Sequence, residues 1–122
     1  MCISYAVDIE NLCKKYKDFE LDNITLRIPT GTIMGFVGQN GSGKTTTIKA
    51  LLNLISKDSG QIKIFDSNVD KNEKLIKNQI GVVFDELGIP DSLNIKNVNS
   101  IMKNIYTNWN NFSILYCFIP LY

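Results

Sequence analysis

The chain has 122 residues, the length of one ordinary domain, and 44% of them are apolar and 20% charged, enough to build a core. Thirteen basic and twelve acidic side chains leave a net charge of +1, so there is no electrostatic reason to expect nucleic acid or an acidic partner. Histidine is absent, which excludes Ser/His/Asp and Cys/His nucleophile systems and any histidine-bound metal within these residues.

The opening segment, MCISYAVDIE, carries Asp8 and Glu10 inside its apolar stretch and does not read as a signal peptide. Val7 and Ile9 alternate with Asp8 and Glu10, and Ile24, Leu26 and Ile28 alternate with Thr25 and Arg27. Both patterns predict half-buried strands. Pro29-Thr30-Gly31 predicts a turn. Ile33 to Val37 then runs apolar without alternation, as a strand buried on both faces of a parallel sheet does. A glycine-rich loop spans Gly38 to Gly43, and beyond it Ile48, Leu51, Leu52 and Ile55 fall on one helical face. Asp58-Ser59-Gly60 predicts the end of that helix. Ile62 and Ile64 begin another strand, Asp70 to Asn78 a short exposed helix, and Ile80 to Phe84 a second apolar strand. Strands alternating with helices predict an α/β fold with a largely parallel sheet. Cys2, Cys13 and Cys117 are odd in number and form no CxxC pair, the pattern of unpaired thiols in a reducing cytoplasm. No apolar run reaches the roughly 18 residues of a membrane span.

The loop carries the chemistry. Gly38-Gln39-Asn40-Gly41-Ser42-Gly43-Lys44-Thr45 matches G-x-x-x-x-G-K-[ST] in full. Glycines at 38, 41 and 43 allow successive N–H groups to turn inward around a phosphate, and the following helix adds its positive end. Lys44 is placed for the β- and γ-phosphates, and the Thr45 hydroxyl for Mg²⁺. A chance glycine-rich turn is the plain alternative. The apolar strand before the loop and the amphipathic helix after it are the context that favours the phosphate loop.

The run from Leu12 to Phe84 resembles the first half of the nucleotide-binding domain of ABC transporters, a P-loop NTPase core with N-terminal antiparallel β strands and here an incomplete parallel sheet. GQNGSGKTT is close to that family's wording of the loop. Leu21-Asp22-Asn23-Ile24-Thr25-Leu26 followed by Gly31-Thr32-Ile33-Met34-Gly35 resembles the strand and turn leading into it, and Asp58-Ser59-Gly60-Gln61-Ile62 the segment after the first helix. The resemblance implies that Gly38, Asn40, Gly41, Ser42, Gly43, Lys44, Thr45 and Thr46 bind the phosphates and magnesium, with Thr46 at the α-phosphate. It places Tyr16 where the family stacks an aromatic ring on adenine; Phe19 is the other aromatic nearby, and a surface role for Tyr16 stays open.

Ile80-Gly81-Val82-Val83-Phe84-Asp85-Glu86 reads in more than one way. By pattern it is an apolar strand ending in Asp-Glu, a Walker B strand, and Asp85-Glu86-Leu87-Gly88 spells the DxxG of small GTPases, although their guanine-reading N-K-x-D is absent. By the resemblance, Asp85 stands at the family's Q-loop glutamine, where its oxygen could still hold the metal. A simple strand end is the third possibility. The Q-loop position is the preferred reading.

The family's LSGGQ signature, a further Asp-Glu strand and the switch histidine do not occur in these residues. The expected organisation is therefore residues 1–111 as the N-terminal part of an ABC-type nucleotide-binding domain and residues 112–122 as an apolar tail. As a helix that tail would reach about 16 Å, half of a hydrocarbon core, so it is not expected to anchor in a membrane. An altered or prematurely ended reading frame is the preferred explanation for it, a strand for a partly missing core the other. The resemblance implies a cytoplasmic ATP-binding subunit, peripheral to the inner face of the cell membrane. It would bind ATP and Mg²⁺ and act with a transmembrane subunit and a second nucleotide-binding domain. Inefficient hydrolysis is expected of this stretch alone. A catalytically inactive nucleotide-binding module and a GTPase-like enzyme using Asp85 are the alternatives.

Overall fold

The computed structural model describes residues 2–83 and 92–110, which divide into one unit ending at Ile76 and another beginning at Lys77. In the first unit, β1 (Tyr5–Lys15), β2 (Glu20–Pro29), β3 (Ser59–Ile64) and the two-residue β4 (Ser67–Asn68) form a sheet of order β2-β1-β3-β4. Every pairing is antiparallel. The alternation read from β1 and β2 does what alternation should: Ile9 lies opposite Leu26 on one side and Ile62 on the other. Ile9, Leu12 and Ile62 are fully buried, joined by Leu21, Ile64 and Val69. The opposite face is polar. There Arg27 bridges Asp8 at 3.0 Å and Glu10 at 2.6 Å, and hydrogen bonds to these two carboxylates raise its already high pKa.

Two irregularities hold β3 to β1. The register shifts between Glu10 and Cys13, and Asn11 sits in the bulge with φ of 51°. Gly60, at φ of 96°, crosses there so closely that a Cβ would lie 2.4 Å from the Asn11 carbonyl oxygen. Just before β3, the Asp58 carboxylate accepts the Lys15 backbone N–H at 2.7 Å and the Lys14 ammonium at 3.3 Å. The backbone bond first, then the Lys14 contact, lowers the Asp58 pKa.

Helix α1 (Lys44–Leu51) buries Thr47 and Ala50. It is shorter than its apolar periodicity predicts. Asn53 adopts φ of 55°, with Leu54 N–H donating to Lys49 O and Asn53 N–H to Ala50 O. This is a Schellman stop with asparagine in the left-handed position, and it acts before Asp58 is reached. Helix α2 (Glu73–Lys77) lies within the lysine-rich stretch, but it is anchored by a buried Ile76 rather than wholly exposed.

The apolar run 33–37 departs from expectation. It forms no strand, and Ile33 and Val37 are 103% and 93% exposed. A strand buried on both faces needs a hydrogen-bonded neighbour, and neither β2 nor β4 at the sheet edges pairs with it. Ile80 to Val83 likewise form no strand, so among the described residues no parallel pair exists. The second unit contains α3 (Ile95–Ile105). Within it Tyr106 stacks on Trp109 with ring centres 6.1 Å apart, and the Tyr106 hydroxyl donates to Ile80 O at 3.3 Å. The tail 112–122 lies outside the described residues.

Candidate nucleotide-binding site

The loop from Gly38 to Gly43 runs directly into α1, and Gly43 is the last residue before the helix. Its φ of 99° is left-handed, and a Cβ there would meet Leu21 Cδ2 at 2.5 Å and Phe19 Cζ at 2.9 Å. The angle is one that glycine takes without strain, and any side chain there would have to push those two tips aside. The loop closes on itself through Ser42 N–H donating to Gln39 O at 3.1 Å. Thr47 pins the helix start, its buried hydroxyl donating to Gly43 O at 2.8 Å.

Lys44 folds its ammonium back to the loop, donating to the carbonyls of Gly38 and of Gln39. No side chain caps α1, and its first turn holds no acidic residue. The helix therefore presents uncompensated N–H groups and a bare positive end beside a primary ammonium. That arrangement attracts a multiply charged anion.

A pocket of 540 Å³ opens here. Asn40, Gly41, Gly43, Lys44, Thr45 and Thr46 of the sequence-derived set line it together. Gly38 and Ser42 are not among the lining residues but lie against each other, a Cβ on Gly38 falling 2.7 Å from the Ser42 hydroxyl. Tyr16 does not line it. The residue is 44% exposed, and the Lys14 ammonium lies 5.4 Å from its ring centre. Gln39, Asp18 and Phe19 also line the pocket. Gln39 is an unspecified position of the motif, Phe19 is the second aromatic noted near Tyr16, and Asp18, beside it in the β1–β2 hairpin, carries no sequence signal of its own. Asp85 and Glu86 lie outside the described residues.

Thr45 supplies a hydroxyl at the pocket, a hard oxygen donor of the kind magnesium takes beside waters and nucleotide oxygens.

The family model described as "ABC transporter" matches residues 21–115. The chain is 41% identical over 87 residues to the bacitracin transport ATP-binding protein BcrA of Bacillus licheniformis, covering 70% of this chain and 28% of that protein. It is 32% identical to the phosphonates import ATP-binding protein PhnC of Fusobacterium nucleatum, covering 91% of this chain and 51% of the relative. Among solved structures, an ATP-binding subunit of an ABC transporter superposes with a TM-score of 0.77 at 20% identity, over 86% of this chain and 44% of the other. The subunit cbiO1 of Clostridium perfringens, part of the ABC transporter complex cbiONQ, gives 0.69 at 25% identity, over 91% and 46%. The chain thus spans about a quarter to a half of the length of these proteins. A glycine-rich loop at the start of a helix, the family-model match and the shared fold agree: the chain belongs to the ABC transporter family.

Proposed function

We propose that this chain binds Mg-ATP at residues 38–46 and serves as part of the ATP-binding subunit of an ABC transporter, with a transmembrane subunit and a second nucleotide-binding domain as partners. The observation that carries the reading is the ammonium of Lys44 held at the loop carbonyls beside the uncapped start of α1. When phosphate enters, Lys44 exchanges neutral carbonyl partners for charged oxygens, and the loop N–H groups gain acceptors. Magnesium neutralises phosphate charge, and the Thr45 hydroxyl is the group that would hold it.

Relatives named for bacitracin transport and phosphonate import support a role in transport. No helix among the described residues is long and apolar enough to cross a membrane. The reading puts this chain on the cytoplasmic face, held by a transmembrane partner. Hydrolysis needs a positioned water and charge stabilisation as the bond breaks, and residues 38–46 supply only the second. Binding that lowers ground and transition states alike does not speed chemistry. Binding without efficient turnover is the expected behaviour of this stretch alone.

The test is a titration of wild type and Lys44→Ala with Mg-ATP and Mg-GTP. A lost charge-assisted contact costs about 1.5–3 kcal/mol, so ATP should bind Lys44→Ala at least about tenfold more weakly. Equal affinity in both proteins overturns the proposal, and a clear preference for GTP replaces it with the GTPase-like arrangement.

A further inference from the structure

We propose that Asp18 recognises the sugar of the nucleotide, its carboxylate accepting hydrogen bonds from the adjacent ribose hydroxyls, an inference that rests on nucleotide binding at residues 38–46. Asp18 lies in the turn between β1 and β2. Tyr16 N–H closes that turn by donating to Phe19 O at 2.7 Å, and the pairing of Lys15 with Glu20 holds its base. The turn brings Asp18 to the same 540 Å³ pocket as Lys44, Thr45 and Thr46. Among the residues lining it, Asp18 is the only acid and Lys44 the only base.

The two charges share the pocket without pairing. The Lys44 ammonium donates to the carbonyls of Gly38 and Gln39, and Asp18 has no hydrogen bond or ion pair among the described residues. Asp8, Glu10, Glu20, Asp58 and Asp70, by contrast, each pair with a lysine or arginine. An ionised carboxylate only accepts hydrogen bonds, so a ligand that satisfies Asp18 must bring donors. Phosphates bring none, and they are repelled by Asp18 and drawn to Lys44 and the bare end of α1. The ribose is joined to the first phosphate through a single methylene group, so it stays beside the phosphate end of the pocket. It carries adjacent hydroxyls, one for each carboxylate oxygen. Acidic side chains read the ribose of dinucleotides by the same chemistry.

The experiment titrates wild type, Asp18→Ala, Lys17→Ala and Lys44→Ala with ATP, 2′,3′-dideoxy-ATP and ITP, each with magnesium. ATP and its dideoxy analogue share base and triphosphate, so contacts to those parts cancel in the ratio of their affinities. Wild type should prefer ATP over the dideoxy analogue by about three- to tenfold. Asp18→Ala should bring that preference below about twofold, whereas Lys17→Ala, at the neighbouring turn position, should keep it. A preference that survives in Asp18→Ala overturns the assignment, because the acid then acts on the triphosphate charge or on the turn alone. Loss of the preference in Lys17→Ala overturns it too, since turn shape rather than the carboxylate would then set it. So does equal binding of ATP and the dideoxy analogue by wild type; if ITP is then the weaker ligand, and only while Asp18 is present, the carboxylate meets the base amino group instead. If Lys44→Ala binds all three as wild type does, the phosphate loop reading itself has failed, a result distinct from any of these.

Discussion

Helices α1 and α3 begin in opposite ways. At α3 the Asn94 side chain accepts the Asn97 N–H at 3.0 Å, so the helix satisfies its own end. At α1 the residue before the helix is Gly43, which has no side chain to offer. A capped start is a structural finish; an uncapped one, next to a lysine and a glycine-rich loop, leaves donors for something else. The difference teaches where stability has been left unclaimed, and it is at the pocket.

The most damaging way to break the comparison is to give α1 a side chain at its first turn's edge. Gly43→Ala forces a left-handed angle on alanine and makes the Leu21 and Phe19 side-chain tips shift, so unfolding stability should fall by about 1–3 kcal/mol. Thermal or urea denaturation reads this directly. If stability is unchanged, the close approach of the β2 start to α1 is wrong. Thr46→Glu sharpens the contrast instead. An acid in the first turn complements the helix dipole by about 0.3–1 kcal/mol, yet it sets a negative charge where phosphate should go. Stability should hold or rise while Mg-ATP affinity drops about tenfold or more. A variant that binds ATP normally would show that the helix end is not the anion site.

Asn94→Ala is the mirror experiment. Losing that cap should cost about 1 kcal/mol in the unit containing α3, and ATP affinity should not move. Amide exchange along 95–98 measures the first, a titration the second. Acid makes the smallest and most selective cut. Asp58, with its pKa lowered, stabilises the fold fully above the usual carboxylate range, and that contribution fades as pH falls through its folded value. The Asn94 amide does not titrate. In an NMR titration the Lys15 N–H signal should move in acid below about pH 4 while the Asn97 N–H stays put.

Much of this was legible in the sequence because the relevant partners are close along the chain. The alternation in 7–10 and 24–28 announced strands that pair with each other across a short turn, and a helix starts right after Gly43, where the motif's spacing puts it. The failures have separate causes. An apolar run such as 33–37 says that burial is favourable but not what will provide it, and here no strand of the described sheet does. Helix length failed for a local reason: Asn53 can take a left-handed angle, so the chain stops five residues before the polar cluster that looked like the terminator.

The crossing of Gly60 over Asn11 also works as an alignment check between distant parts of the chain. If β3 slipped by one residue, Ile62 and Ile64 would turn away from the core. A slip of two would keep them facing inward and so escape that penalty, but it would bring Asp58 or Ile62 to the place where a Cβ meets the Asn11 carbonyl at 2.4 Å. One glycine thereby rejects the misalignment that hydrophobic patterning alone would tolerate. Because β3 is the strand that follows α1, the same proofreading sets how far the chain must travel between the phosphate loop and the sheet.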